Sequence, residues 1–235
     1  MHWIAALTLA VGFRQAMIGP MAVNIWYPSD GHAALVPAGL YSQTVVVNGP
    51  IRGRDLPLIV MSHGVSGSGF SDYNVALALA NAGYVVAAVT HPGDNYQDQS
   101  AAGKRENLID RPRHIHRLVD YMVAHWPVDA KRIGAFGFSL GGFTALVLAG
   151  GTPDLRQGRM EEMLVPETRV YRHNQHLGDV RQDFLQNPDG GRRVDDHSGG
   201  FIQCLDALHC AVQIRVPFPV NEERIRAGLD KLVQK

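Results

Sequence analysis

One serine in this chain stands in a setting that could make it a nucleophile. Residues 132–151 read RIGAFGFSLGGFTALVLAGG; within them Gly137-Phe138-Ser139-Leu140-Gly141 joins an apolar segment, Ile133–Phe138, to an apolar run of helical character, Phe143–Leu148. G-x-S-x-G at a strand-to-helix junction is the sequence form of a nucleophile elbow. The turn is so sharp that side chains two residues before and after the serine would collide, and glycines there leave the hydroxyl exposed at the top of a sheet. With 25 glycines in the chain, a glycine-rich turn carrying a bystander serine is the competing reading. The flanking strand and helix favour the nucleophile.

A serine hydroxyl attacks only when a base takes its proton, and the tetrahedral intermediate needs donors aimed at its oxyanion. The Leu140 N–H, at the start of the following helix, is one such donor. The second is expected from the loop Ser62-His63-Gly64-Val65, where Gly64 lets the chain turn so that the Val65 N–H points inward. A plain glycine-rich strand-to-helix loop is the alternative there, and Ser139 downstream favours the donor.

Other candidates in the same region do less. Gly67-Ser68-Gly69 resembles the start of a dinucleotide-binding loop, but Asp72 stands where its third glycine belongs and no acidic residue ends the next strand. His63 and His91 fall at strand ends and read as hydrogen-bonded structural residues, because the base serving an elbow follows the nucleophile in the chain. Asp94 is expected to tie down its own loop. His114 and His116 flank Ile115 and are expected to face solvent. His173 and His176 have the spacing of a helix face, but no third metal ligand accompanies them in a recognisable pattern.

These residues need a scaffold, and the chain outlines one. Val11–Ile18 and Met21–Tyr27 are β-rich runs separated by Gly19-Pro20, a hairpin pattern ended by Pro28. Gly31–Asp55 reads as a loop with one extended piece, Thr44–Val47. Leu58–Met61 and Tyr84–Thr90 are continuous apolar runs, as expected of strands buried on both faces. Between them a helix is predicted over Tyr73–Ala82, capped by Gly83. A polar loop runs to about Asp110, and Arg111–Trp126 is the clearest helix, with Ile115, Leu118, Val119, Met122, Val123 and Trp126 on one stripe. Ile133–Phe138 and the helix after Ser139 complete a β-α-β-α-β-α alternation, which means a parallel sheet with helices on both faces. After Gly151 the pattern fades: only Ala211–Val216 looks like a strand and Asn221–Val233 like an amphipathic helix.

The bulk properties narrow the partners. The chain has 235 residues, 22 basic and 22 acidic, with zero formal charge. It offers no basic field for a phosphate backbone, so nucleic acid is not an expected partner. Cys204 and Cys210 match no zinc signature. The segment Met1–Phe13 is apolar but too short to span a bilayer. It lacks a basic n-region, although Thr8-Leu9-Ala10 is faintly like a cleavage site; it reads as the remnant of an export signal, with a plain first strand as the alternative.

Taken together, these residues resemble the α/β-hydrolase superfamily, and more narrowly the predicted dienelactone hydrolases that group with platelet-activating-factor acetylhydrolase-like esterases. The resemblance rests on Val11-Gly12-Phe13-Arg14, Val23–Pro28, Val60–Gly64, Thr90–Gly93, Asp110-Arg111-Pro112 and Arg132–Asp154. It covers residues 11–154, between a short apolar segment (1–10) and a divergent region of the same domain (155–235). It implies an α/β-hydrolase fold, a mostly parallel sheet with helices on both faces, and hydrolysis of small or lipid-like carboxylic esters through an acyl-enzyme. Ser139 would be the nucleophile and the Val65 and Leu140 N–H groups the oxyanion hole, with no metal or organic cofactor. Serine at this position departs from the cysteine of true dienelactone hydrolases.

The resemblance also implies an acid and then a histidine after Ser139, and about 70–100 further residues of sheet and helix. The histidines downstream of Ser139 are His173, His176, His197 and His209, with Asp179, Asp183, Asp195 and Asp196 as possible orienting acids. None follows a clean strand, so the acid and histidine stay unassigned. The tail is left open between an altered reading frame, a truncation and a divergence. The alternative reading is a catalytically incomplete hydrolase-like scaffold, with an unpaired sheet edge and exposed apolar surface.

Overall fold

Neighbouring residues of the central strands are apolar on both faces, so the sheet they build must be covered on both sides. The computed structural model describes residues 10–149, together with four short strand segments at 152–153, 162–164, 201–203 and 214–216. In chain order the elements are β1 (Ala10–Ile18), β2 (Met21–Ser29), β3 (Ala34–Ala38), β4 (Tyr41–Val47), β5 (Leu56–Ser62), α1 (Tyr73–Asn81), β6 (Val85–Thr90), α2 (Arg105–His125), β7 (Val128–Gly137) and α3 (Leu140–Leu148). The strands β8 (Thr152–Pro153), β9 (Glu162–Leu164), β10 (Phe201–Gln203) and β11 (Ile214–Val216) follow.

The main sheet runs β11-β7-β5-β6-β2-β1-β4-β3, and β8, β9 and β10 form a separate three-stranded sheet. β5 lies parallel between β6 and β7, with Leu58 opposite Val85 and Ile133. β2 runs antiparallel to β6 and to β1, so the β1–β2 hairpin extends the sheet on one side. Side-chain alternation then sorts the core. Leu58, Val60, Val85, Ala87 and Val89 pack with Ile115, Leu118, Met122, Phe143 and Leu146 of α2 and α3. Ile59, Met61, Val86 and Ala88 pack with Ala76, Leu79 and Ala80 of α1 on the opposite face. This is the expected α/β architecture, and it places the ends of β5, β6 and β7 side by side.

Two expectations need revision. Gly31–Asp55 is not a loop with one extended piece: β3 and β4 form a second hairpin, with Leu35 opposite Thr44. Its turn glycine, Gly39, has φ 63°. The hairpin is anchored at Gln43, whose Oε1 accepts a 2.7 Å hydrogen bond from the buried Trp26 indole N–H, a contact no local pattern encodes. Second, α2 begins at Arg105 rather than Arg111 and carries Pro112 inside it. Proline removes an N–H from the helix ladder and normally marks a first turn. Here the turn before Pro112 is held by buried side-chain bonds from Asn107 and Arg111 instead. Of the strand predicted at 211–216, Ile214–Val216 is described and runs antiparallel to β7, while 211–213 lie outside the described residues. The predicted helix over 221–233, and the apolar start over residues 1–9, lie outside the described residues.

Leu118 sits wholly buried at the centre of the α2–sheet contact. Leu118→Ala is expected to lower unfolding stability by about 2–5 kcal/mol, through lost burial and a residual cavity. The urea midpoint should fall with the slope unchanged.

Candidate active site

β7 ends at Gly137 and α3 starts at Leu140, which leaves two residues to reverse the chain. Ser139 accommodates this with φ 52° and ψ −120°, a region that an L side chain adopts at a cost of about 1–3 kcal/mol. Backbone bonds hold the turn. The Phe138 N–H donates to the Ser62 carbonyl (3.3 Å), the Gly141 N–H to the Phe138 carbonyl (2.8 Å) and the Phe143 N–H to the Ser139 carbonyl (3.2 Å). A Cβ at Gly137 would overlap the Gly141 carbonyl, and one at Gly141 would overlap the Ser62 carbonyl. Both obstacles are backbone, so no rotamer change relieves them.

The loop after β5 closes over the elbow. A Cβ added at Gly64 would stand 3.4 Å from the Ser139 Cβ, so the two segments are in contact. Residues 64–67 form a turn closed by the Gly67 N–H donating to the Gly64 carbonyl (3.2 Å), with Ser66 at φ 56°. Ser139 is half-buried, Leu140 is buried and Val65 is exposed. Among the described residues, neither the Val65 nor the Leu140 N–H has a hydrogen-bond acceptor. No described histidine hydrogen-bonds the Ser139 hydroxyl. His173, His176, His197 and His209, like Asp179, Asp183, Asp195 and Asp196, lie outside the described residues.

Behind the loop is a buried polar cluster. The Asp94 carboxylate accepts hydrogen bonds from the Ser66 N–H (2.9 Å), Asn107 Nδ2 (2.6 Å) and Arg111 Nη1 (2.6 Å), and both members of the ion pair are fully buried. Arg111 Nη2 also donates to the Ser62 Oγ (3.3 Å) and to the His63 carbonyl. Asp94 therefore does more than tie down its own loop: it joins the loops after β5 and β6 to the first turns of α2. Burial works to raise its carboxyl, but the Ser66 N–H, Asn107 and Arg111 together hold it below the ordinary value. Burial lowers Arg111 to about 10 against the pull of Asp94, so the pair is ionised at neutral pH.

Histidines complete the cluster. The His91 backbone N–H donates to His63 Nε2 (3.0 Å), and the His91 ring bridges Ser62 Oγ (2.9 Å) and His114 Nδ1 (3.1 Å). His63 and His91 are thus hydrogen-bonded and buried, as expected. His114 is not directed to solvent: it lies three residues after Arg111 and four before Leu118, on the flank of the buried stripe. His116 is half-buried and meets Asp120 across one helical turn at 3.2 Å. Burial first, then the Arg111 charge, lowers His63 to about 4 and His91 well below its ordinary value; burial also lowers His114. All three are neutral at neutral pH.

Sequence reasoning did not assign Asn107 and Arg111 a place beside the site. Their signal was available: residues 107, 111, 115, 118 and 122 share one helical stripe, and two polar members of an otherwise apolar stripe require buried partners. Among the described residues no group of three or more His, Cys, Asp or Glu side chains is placed to hold a metal ion, and no helix is long and apolar enough to cross a membrane.

A strand-to-helix elbow on a mixed sheet of this order, parallel at its centre through β5, β6 and β7, defines an α/β-hydrolase. The family model for the prolyl oligopeptidase family matches residues 69–193, and the chain belongs to that family. A probable 2-oxo-3-(5-oxofuran-2-ylidene)propanoate lactonase from a Bradyrhizobium species is 34% identical over 113 residues, 45% of this chain and 45% of the relative. The chain thus spans less than half the length of the curated relative it matches. A ferulic acid esterase from Streptomyces cinnamoneus superposes with a TM-score of 0.51 at 21% identity, over 60% of this chain and 55% of that one, and shares its fold.

Removing one member of the buried pair should be severe. Arg111→Met, which strands the Asp94 charge, is expected to cost about 3–5 kcal/mol in urea unfolding.

Stability should also fall with acid. All three histidines bind protons less readily when folded than at their ordinary value of 6.5 when unfolded, so stability declines as pH drops below about 6.5, for His63 until about 4. Asp72, raised by burial from 3.8 to about 6, works in the opposite direction over part of that window. Among the described residues three groups act against one, which makes their net slope positive. Unfolding midpoints at pH 7.5 and pH 5 should show the lower stability at pH 5, and Asp72→Asn should enlarge the difference.

Proposed function

We propose that this hydrolase cleaves carboxylic esters by way of an acyl-enzyme on Ser139. The reading is carried by one observation: Ser139 is held at φ 52° between a strand end and a helix start, beside two backbone N–H groups without acceptors among the described residues. Ser139 Oγ attacks the ester carbonyl carbon, and its proton passes to a histidine. The oxyanion is received by the Leu140 and Val65 N–H groups, of which Leu140 also brings the positive end of α3. The C–O bond then breaks, the protonated histidine returns its proton to the leaving alcohol, and water releases the acid from Ser139 by the same steps in reverse roles.

The histidine would come from His173, His176, His197 or His209, oriented by one of the acids among Asp179, Asp183, Asp195 and Asp196. Small or lipid-like esters are the proposed substrate class. The lactonase relative extends it to cyclic esters, in which the leaving alcohol stays tethered to the acyl-enzyme. The reaction as drawn needs no organic cofactor.

A fluorophosphonate probe, read by intact mass and peptide mapping, is expected to label Ser139 once per chain. Ser139→Ala should abolish labelling and lower turnover of p-nitrophenyl acetate by at least about 10³-fold. A folded chain that stays unlabelled would overturn this reading and leave a hydrolase scaffold without its chemistry.

A further inference from the structure

The proposed donor at Val65 belongs to the same peptide group as the Gly64 carbonyl. In a trans peptide the N–H and C=O point in opposite directions, so whatever holds the carbonyl aims the N–H. The Gly64 carbonyl is held from the side: His63 Nδ1 lies 2.6 Å from it, and the Gly67 N–H donates to it at 3.2 Å. The proton on that imidazole is placed by its other nitrogen. His63 Nε2 accepts the His91 backbone N–H at 3.0 Å, which leaves Nδ1 as the protonated nitrogen and hence the donor to Gly64.

The ring has little freedom. It is 3% exposed and meets the His91 ring edge-on, with centroids 5.0 Å apart. Gly67 makes room for it, since a Cβ there would lie 2.9 Å from His63 Nδ1. The His63 carbonyl is gripped by Arg111, so backbone and ring are both tied.

We propose that His63 is a positioning residue for ester hydrolysis, its Nδ1–H orienting and polarising the Gly64–Val65 peptide so that the Val65 N–H meets the oxyanion formed at Ser139. This rests on the reading of Ser139 and Val65 given above. A hydrogen bond received by an amide carbonyl strengthens the same amide as a donor, and the gain matters most where water is excluded. A tautomer locked by its neighbours also spares the site any reorganisation as charge develops. Burial and the nearby Arg111 keep the imidazole neutral down to about pH 4, so the donor persists across the neutral range.

The test compares His63→Asn with His63→Gln. An asparagine amide can bring an N–H to the Nδ1 place; a glutamine reaches the Nε2 place and offers nothing to Gly64. With p-nitrophenyl acetate, His63→Gln is expected to lower kcat about tenfold to a hundredfold, with KM within about threefold, since a donor is misaligned rather than removed. His63→Asn should recover kcat to within about threefold of the parent. Equal impairment of the two folded variants, or parental kcat in His63→Gln, overturns the proposal. So does a nitrogen-15 NMR spectrum of the unsubstituted protein that places the His63 ring proton on Nε2, a readout that needs no variant to fold. A parent chain that neither labels with fluorophosphonate nor turns over the ester overturns the serine-hydrolase reading itself. Turnover by the parent with matched Asn and Gln variants overturns only the role of His63.

Discussion

The buried pair of Asp94 and Arg111 is the interaction on which the rest of the candidate site depends. Two charges withdrawn from water cost least when their remaining donors and acceptors are also met. Here most are met from two segments, the loop after β5 through the Ser66 N–H and the His63 carbonyl, and α2 through Asn107; among the described residues only Arg111 Nε of the pair is buried without a partner. An apolar pair could supply comparable burial energy but no direction. The ion pair supplies direction, because each hydrogen bond fixes where a particular loop may lie. Arg111 holds the exit of β5 from one side while the elbow presses on it from the other, through the contact of Gly141 with the Ser62 carbonyl.

That arrangement explains how a strained residue is kept in place. Ser139 occupies an unfavourable backbone region at the head of a nine-residue helix whose every residue is buried. The burial of α3 against the sheet far outweighs a local cost of about 1–3 kcal/mol, so the strain is sustained rather than relaxed. The glycines at 137 and 141 permit the turn, and helix packing imposes it.

The electrostatics around the elbow follow from the same cluster. Three histidines stand near one guanidinium, and burial together with that charge keeps all three uncharged. Arg111 is balanced by Asp94, so the shell behind the loop carries no net charge at neutral pH. In the proposed chemistry this leaves the backbone N–H groups and the start of α3 as the groups that answer a developing negative charge, in surroundings that do not compete with them.

Much of this was legible in the order of residues. Continuous apolar runs at 58–61 and 84–90 implied strands covered on both faces, the stripe through Ile115, Leu118 and Met122 implied a helix on the sheet, and the glycines around Ser139 implied a turn between strand and helix. Each is a local or periodic property, readable because burial repeats every two residues in a strand and every 3.6 in a helix. The β3–β4 hairpin escaped such reading because it is anchored by long-range contacts, the Gln43–Trp26 bond and the pairing of β4 with β1, and the early start of α2 because Pro112 signals a beginning where buried side chains supply a continuation. His114 was misplaced by its adjacency to Ile115, although its spacing from Arg111 and Leu118 sets it on the stripe. By itself, then, the sequence determined the alternation of strands and helices and the position of the elbow. Only the tertiary structure decided that Asp94, Arg111, Ser66 and His63, spread over 49 positions of chain, converge behind one loop, because hydrogen bonds between distant segments exist only after the sheet has brought their ends together.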